Sequence, residues 1–286
     1  MRKILIQLDT DPLPSVFDRV VAVDADVEEL FSYGGVTPEN VEGLIHGAMF
    51  TRGPADLKNT AVFIGGSKVG AGEALFERVG QVFFGPIRVS VMMDSNGSNT
   101  TAAAAVKVAG QHLKLSDVRA TVLGGTGPVG HRAAQLLALQ GAQVTLVSRS
   151  LERAEETCHV IRQAVPHAKL TAAGAKTADE TQKASQDSEL LIAAGAAGVC
   201  LLTEEQWSAC GKLRVAIDLN AVPPLGLGGI EMQDKAVERK NVICYGALGV
   251  GGTKMKLHKA CIRKLFESNS QWLGTESIFK VAQDLG

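Results

Sequence analysis

The stretch Thr121-Val-Leu-Gly-Gly-Thr-Gly-Pro-Val-Gly130 reads as a β-strand that turns through glycines into a helix, and it decides the fold. Arg119–Leu123 is a short β-prone run. Gly125, Gly127 and Gly130 carry the G-x-G-x-x-G spacing, and Pro128 opens a helix over His131–Gln140 that stops at Gly141. In that arrangement one glycine makes a tight turn, one lets the backbone approach a pyrophosphate, and one lets helix and strand pack closely. The pyrophosphate then meets a helix N-terminus, where N–H groups and the helix dipole favour negative charge. Glycine spacing alone is a weak signal, but the context sharpens it. Val129, Ala133, Leu136 and Leu137 share one helix face, and a second strand, Gln143–Val147, follows within the length of a βαβ unit. Gly125, Thr126, Gly127, Pro128, Val129 and Gly130 are therefore expected to hold a dinucleotide.

The end of the second strand selects the dinucleotide. NAD sites usually place an acid there to bond the ribose 2′-hydroxyl. This chain has Val147-Ser148-Arg149-Ser150 and no acid before Glu152. A guanidinium flanked by hydroxyls binds a 2′-phosphate through charge-assisted hydrogen bonds, whereas a carboxylate would repel it. NADP is the expected cofactor, with NAD a weaker alternative. Ser148, Arg149, Ser150 and Arg153, with Ala194 and Gly195 after a later strand, complete the expected cofactor set.

Composition narrows the class. The 286 residues suffice for two domains sharing a cleft, and 45% hydrophobic against 21% charged residues fits an ordinary globular chain. A formal net charge of −1 gives no basic surface for nucleic acid or membrane. No stretch approaches transmembrane length, and the apolar run at the N-terminus is broken by Gln7 and Asp9, so it reads as a first strand rather than a signal peptide. Cys158, Cys200, Cys210, Cys244 and Cys261 are scattered without C-x-x-C spacing, which suits reduced thiols in a cytoplasm. No histidine or cysteine cluster has ligand spacing, so no metal is expected.

Along the chain, strands alternate with helices, the pattern of parallel sheets. Strands are expected at Lys3–Leu8, Arg19–Val23, Ala61–Gly65 and Arg88–Met93. Thr37 reads as the cap and Pro38 as the first residue of a helix leading into Val41–Phe50. A second helix is expected over Ala71–Val82, and the polar loop Asp94–Thr101 precedes an alanine-rich helix over Ala102–Leu113. Beyond the glycine turn, strands are expected at Lys169–Ala172, Glu189–Ala193, Arg214–Leu219 and Val242–Tyr245, with helices at Leu151–Ala164 and Glu204–Ala209. Thr253–Ser268 reads as an amphipathic helix. The fold class is α/β with two domains: a Rossmann-type dinucleotide-binding domain over residues 104–252, and an α/β substrate domain over 1–103 completed by C-terminal helices in 253–286. Loops after strands at 94–101, 195–198 and 220–229 are expected around a cleft between them.

Several strings are more distinctive than the glycine spacing. They include Asp9-Thr-Asp11, Pro14-Ser-Val-Phe17-Asp18, Tyr33-Gly34, Val36-Thr-Pro-Glu-Asn40, Phe84-Gly-Pro86 and Asp94-Ser-Asn-Gly-Ser-Asn-Thr-Thr101. Near the end come Asn220-Ala-Val-Pro-Pro-Leu-Gly-Leu-Gly-Gly-Ile230, Tyr245-Gly-Ala-Leu-Gly-Val-Gly-Gly252, Lys256-Leu-His-Lys-Ala-Cys261 and Lys264-Leu-Phe-Glu267. Together they resemble the NADP-dependent methylene-tetrahydromethanopterin dehydrogenases of C1-metabolising bacteria over nearly the whole chain. The resemblance implies a two-domain α/β fold, oxidation of the carrier's methylene bridge to methenyl with hydride passing to NADP, and a homo-oligomer, expected as a trimer. It places active-site residues at Phe17, Thr101, Lys254 and His258, with Lys256 as the alternative to Lys254.

From their chemistry, Phe17 offers an aromatic face to a developing cation. Lys254 and His258, one helical turn apart, project from one face. Thr101 stands at the mouth of the alanine-rich helix as cap or substrate contact. Asp94, Asn96, Asn99, Thr100 and Asn220 are the expected substrate-binding residues, with Asp218, Asp9 and Asp11 similarly placed after strands. The resemblance makes a small tetrahydromethanopterin-type one-carbon carrier the expected partner. A tetrahydrofolate carrier, or an inactive NADP-binding sensor on the same fold, are the alternative readings.

Overall fold

The computed structural model describes residues 1–285. In chain order the elements are β1 (Ile4–Asp9), α1 (Val16–Asp24), β2 (Glu29–Tyr33), α2 (Glu42–Phe50), β3 (Thr60–Gly65), α3 (Val69–Val82), β4 (Ser90–Met93) and α4 (Ser98–Gly110). There follow β5 (Arg119–Leu123), α5 (Pro128–Leu139), β6 (Gln143–Ser148), α6 (Leu151–Ala164), β7 (Lys169–Gly174), α7 (Ala178–Ser185), β8 (Leu190–Ala193), α8 (Glu204–Ser208) and β9 (Val215–Asp218). The chain closes with β10 (Lys235–Arg239), β11 (Val242–Tyr245), α9 (Ala247–Lys264), β12 (Trp272–Leu273) and α10 (Thr275–Asp284). It divides into two compact units, one of Met1–Thr100 with the chain from Met255 onward, the other of Thr101–Lys254.

The first unit is a parallel sheet in the order β12-β4-β3-β1-β2. Its central strand β3, Thr-Ala-Val-Phe-Ile-Gly, is buried at every position, as a parallel strand covered on both faces must be. Leu8, Ile45, Met49, Ile64, Leu75 and Val91 form its core. The chain runs from β1 outward to β2, then returns to the other side of β1 for β3.

The second unit is a seven-stranded sheet, β10-β11-β9-β8-β5-β6-β7, parallel except for the antiparallel edge strand β10. Here the chain runs β5, β6, β7 in one direction and resumes with β8 on the opposite side of β5. Such reversals open a crevice beyond the carboxyl ends of the strands, where ligands bind in open α/β sheets. Trp207 is fully buried in this unit's core and donates its indole N–H to the Gly228 carbonyl at 2.8 Å.

Most expected elements are present, and the departures have physical causes. Arg19–Val23 is not a strand but part of α1. Ser15 caps that helix, accepting from the Asp18 N–H at 3.3 Å, and only Val21 and Ala22 are buried, a one-sided helical pattern rather than an alternation. The helix expected from Thr37-Pro38 starts later, at Glu42. Asn40 instead ties residues 35–40 into a turn, accepting from Thr37 N–H and donating to the Gly35 carbonyl. α4 begins at Ser98 rather than Ala102.

α9 begins at Ala247, before the expected Thr253, through a glycine-rich run of low helix propensity. The reason is close packing: a Cβ at Gly246 would lie 2.0 Å from the Glu231 carbonyl oxygen, and one at Gly249 would lie 1.8 Å from that of Asp234.

β2, α7, β10 and the edge strand β12 were not anticipated. α7, Ala-Asp-Glu-Thr-Gln-Lys-Ala-Ser, lacks an apolar period and is set by a Thr177–Glu180 capping box. β10 and β11 form a hairpin whose turn residues, Lys240 and Asn241, both have positive φ without a glycine to announce it.

Truncating Trp207 to alanine removes the largest side chain of this core and orphans the Gly228 carbonyl. Trp207→Ala is expected to lower stability by about 3–5 kcal/mol, read as a shifted midpoint in urea denaturation followed by circular dichroism.

Candidate functional site

In the second unit a pocket of about 520 Å³ lies at the carboxyl ends of β5, β6 and β8. Gly124, Thr126, Gly127 and Pro128 form one wall, and Ala194, Gly195, Ala196, Val199 and Leu201 another. Leu123 and Val147 line it from the strands, Ala175 and Thr181 from beyond them, and Ser148, Arg149, Ser150 and Arg153 from the end of β6 and the start of α6. α5 starts at Pro128 with Gly127 as its cap residue, and no side chain caps it.

The turn is built by missing side chains. Gly124 has φ +69°, and a Cβ there would come 2.6 Å from the Gly195 Cα and 2.7 Å from the Ala194 carbonyl oxygen. At Gly130 a Cβ would reach 2.4 Å from the Gly124 oxygen, and at Gly125 it would strike Leu146. Gly124 was missed in the sequence because it stands one residue ahead of the Gly125, Gly127, Gly130 spacing, which does not mark it. Its left-handed backbone makes it the residue of the tight turn. Val129 and Gly130 sit in the first turn of α5 without lining the pocket, and Gly130 serves helix–strand packing. These close contacts hold the turn tight at the start of α5, where N–H groups that no side chain caps suit a pyrophosphate.

At the far end of the pocket, Ser148 Oγ lies 3.3 Å from Thr126 Oγ1 and accepts from the Ser150 N–H at 3.4 Å. Ser150 caps α6, accepting from the Arg153 N–H. Arg149 and Arg153 are both exposed, and neither guanidinium has a carboxylate partner among the described residues. Two unneutralised guanidiniums and hydroxyls at this position make a donor set for a doubly charged phosphate.

In the first unit, the carboxyl ends of β1, β3 and β4 gather a second constellation. His258, on α9, is wholly buried, its Nδ1 4.0 Å from Asp94 Oδ2. Phe63 of β3 stacks on the imidazole at 5.5 Å, and Phe17 of α1 lies tilted at 6.4 Å with half its surface exposed. Asp94 accepts from the N–H groups of Asn99 and Thr100 at 2.9 and 3.0 Å and from the Thr100 hydroxyl at 2.6 Å. It therefore fixes the start of α4. Asn99 in turn donates to the Met93 carbonyl and accepts from Thr275.

This changes several expected roles. Asp94, Asn99 and Thr100 are buried and bonded inside the loop, so they shape it instead of presenting their polar atoms outward; Asn96 alone of that set is exposed, with φ +53°. Thr101 is half-buried inside the first turn of α4 and does not cap it, because Asp94 does. Lys254 is half-buried on α9 while Lys256 is exposed. Asn220 is buried after β9, its amide engaged by Ala196, Pro224 and Val222 backbone atoms. Asp218 is likewise buried, with burial pushing its pKa up and N–H groups of Leu227 and Asn220 pulling it back. Asp9 bonds the N–H groups of Asp11 and Ser15. Phe63 was not foreseen, since within an all-apolar strand nothing marks which side chain meets a histidine.

A family model described as "Methylene-tetrahydromethanopterin dehydrogenase, N-terminal" matches residues 16–96. The chain is 44% identical over 99% of both sequences to "Bifunctional protein MdtA" of Methylorubrum extorquens. It is 33% identical over 93% of both to the "NAD(P)-dependent methylenetetrahydromethanopterin dehydrogenase" of the same organism. Among solved structures, a shikimate 5-dehydrogenase from Listeria monocytogenes in complex with shikimate and NAD superposes with a TM-score of 0.54, covering 98% of this chain and 96% of that one at 14% identity. A quinate dehydrogenase from Corynebacterium glutamicum in complex with NAD gives 0.50 over 99% of both chains at 11% identity. At these identities the structures speak for the fold alone.

Asp94→Ala would orphan the N–H groups of Asn99 and Thr100 inside the fold, at about 1–3 kcal/mol for each unsatisfied group. Phe17→Ala, at an exposed position, is expected to change stability by about 0.5–1 kcal/mol. Paired thermal melts check the contrast, which would vanish if the Asp94 network contributed nothing.

Proposed function

The chain belongs to the methylene-tetrahydromethanopterin dehydrogenase family, and we propose that NADP is its hydride acceptor, bound in the pocket at the β5–α5 turn, with the one-carbon carrier lying against the exposed face of Phe17, which His258 backs from within. It is an oxidoreductase: hydride leaves a methylene carbon flanked by two nitrogens, and the methenyl product carries its positive charge over N–C–N. NADP, when bound, supplies the nicotinamide carbon that receives the hydride.

The chain's own task is placement. No proton moves in the hydride step, so no general acid or base is required. Holding the reacting carbons at near-attack separation is worth about 7–11 kcal/mol, more than any one side chain supplies. Phe17 turns an aromatic face to the forming cation, a contribution of about 0.5–2 kcal/mol. Phe63 and Asp94 hold the buried His258 ring, which lies behind Phe17 and supports it from inside the fold. A full charge beside the forming cation would raise the barrier, so Lys254 bonds a polar group of the carrier away from the reacting carbon. Thr101 adds a hydroxyl contact, and Asn96 an exposed one.

The observation that carries the cofactor choice is Arg149 at the pocket end of β6, with Arg153 beside it and no acid in the set. Self-association fits the exposed apolar side chains Val16, Val20 and Val23 of α1, and we assign the homo-oligomer to that surface. No described helix is long and apolar enough to cross a membrane, and the free cysteines fit a reducing cytoplasm.

Arg149→Asp exchanges attraction for repulsion at the 2′-phosphate. It is expected to weaken NADP by about 10–100-fold while leaving NAD nearly unchanged in steady-state assays on methylene-tetrahydromethanopterin. Equal losses with both cofactors would refute the assignment. The same assay on methylene-tetrahydrofolate ranks the carriers, and faster turnover there would overturn the carrier reading. Val20→Asp is expected to lower the oligomeric mass seen by sedimentation, and an unchanged mass would move the interface elsewhere.

A further inference from the structure

Resting on the dinucleotide reading of the pocket, we propose that Asp218 is a positioning residue for the cofactor: through the loop that follows β9, it holds the 194–202 segment that forms one wall of the pocket. Asp218 is the last residue of β9 and is fully buried. Its Oδ1 accepts the Asn220 N–H at 2.9 Å, and its Oδ2 accepts the Leu227 N–H at 2.8 Å, so one carboxylate clasps both ends of the loop. Gly226 is drawn against it; a Cβ there would lie 2.9 Å from Asp218 Oδ1 and 3.2 Å from Ala193 Cβ.

Closed in this way, the loop is stitched to the pocket wall. The Gly226 carbonyl accepts from the N–H groups of Leu201 and Leu202 at 2.8 and 3.3 Å, and Gly228 N–H donates to the Leu202 carbonyl at 2.9 Å. Gly198 N–H donates to Val222 at 3.2 Å, and the Asn220 amide donates to the Ala196 carbonyl at 3.4 Å. The other side of the same wall bears on the glycine turn, where Gly124 leaves no room for a Cβ against Gly195. Ala194, Gly195, Ala196, Val199 and Leu201, which line the pocket, are thus fixed between the turn and the Asp218 clasp.

A carboxylate suits this task where an amide does not. Both of its oxygens accept, whereas asparagine offers one acceptor and would turn an N–H₂ toward a backbone N–H. Its burial, which pushes the pKa up, is offset by the N–H groups it gathers.

The test uses the full-length protein with NADP and NAD as separate titrants. Asp218→Asn is expected to raise KM and Kd for both cofactors about tenfold, with the NADP/NAD preference unchanged and kcat at saturating cofactor shifted less than about twofold. Gly226→Ala, which pushes on the clasp without deleting it, is expected to give the same split, and it decides the matter alone if Asp218→Asn does not fold. Folding at the assay temperature is confirmed by circular dichroism. Unchanged affinities in a folded variant, a fall in kcat at constant KM, or a shifted cofactor preference would each overturn the proposal. If the unmodified protein bound neither cofactor, the dinucleotide reading would fall and the clasp's role with it; normal binding by the parent and by both variants would sink the clasp alone.

Discussion

A buried aspartate at the carboxyl end of a parallel strand, bonded to backbone N–H groups of the loop that follows, organises this molecule. Asp9 closes β1 in this way over Asp11 and Ser15, Asp94 follows β4 and holds the start of α4, and Asp218 ends β9 and gathers Asn220 and Leu227. A carboxylate withdrawn from water is costly unless its lone pairs are met, and backbone N–H groups meet them with charge-assisted bonds. The loop then has little freedom: moving it would strand a charge in a low-dielectric interior. Ligand-binding loops are usually the soft part of an α/β fold, and here they are tied at their roots.

The glycines are the complement of the same constraint. Loops drawn down onto strand ends come so close to neighbouring backbone that side chains are excluded. A Cβ at Gly34 would meet the Pro12 carbonyl at 2.2 Å, one at Gly66 would meet Thr10, and one at Gly124 would meet Gly195. Each aspartate pulls a loop inward, and each glycine admits it.

This pairing explains what could be read from the sequence. Buried strands such as β3 and β5 announce themselves by composition, and the β5–α5 turn by glycine spacing. The sign of the charge at Arg149 could be read because it depends on residue type alone. By contrast, α1 hid behind the β-prone Val-rich run Arg19–Val23, since a capping serine and one-sided burial outweigh local propensity. The helical start of α9 was hidden because Gly246 before it and Gly249 within it answer to the Glu231 and Asp234 carbonyls, which the local sequence does not name. Asp94, Asn99 and Asn220 were visible as polar residues after strands. What the sequence could not reveal was direction: whether a polar side chain faces a ligand or turns back on its own loop depends on which backbone N–H groups lie within reach.

The chemistry gives that inward turn its purpose. A reaction that moves a hydride and no proton asks little of acids and bases, and His258 and Asp94, buried side by side beneath Phe63, are poorly placed for exchange with water in any case. What such a reaction demands is that two carbon atoms meet at a fixed distance and angle, because the advantage of orientation falls away with small displacements. A chain that serves it gains more by immobilising the loops that seat cofactor and carrier than by placing another reactive group. On the proposed placement of cofactor and carrier, the buried carboxylates that hold these loops serve orientation alongside the Phe17 ring and the Arg149 guanidinium.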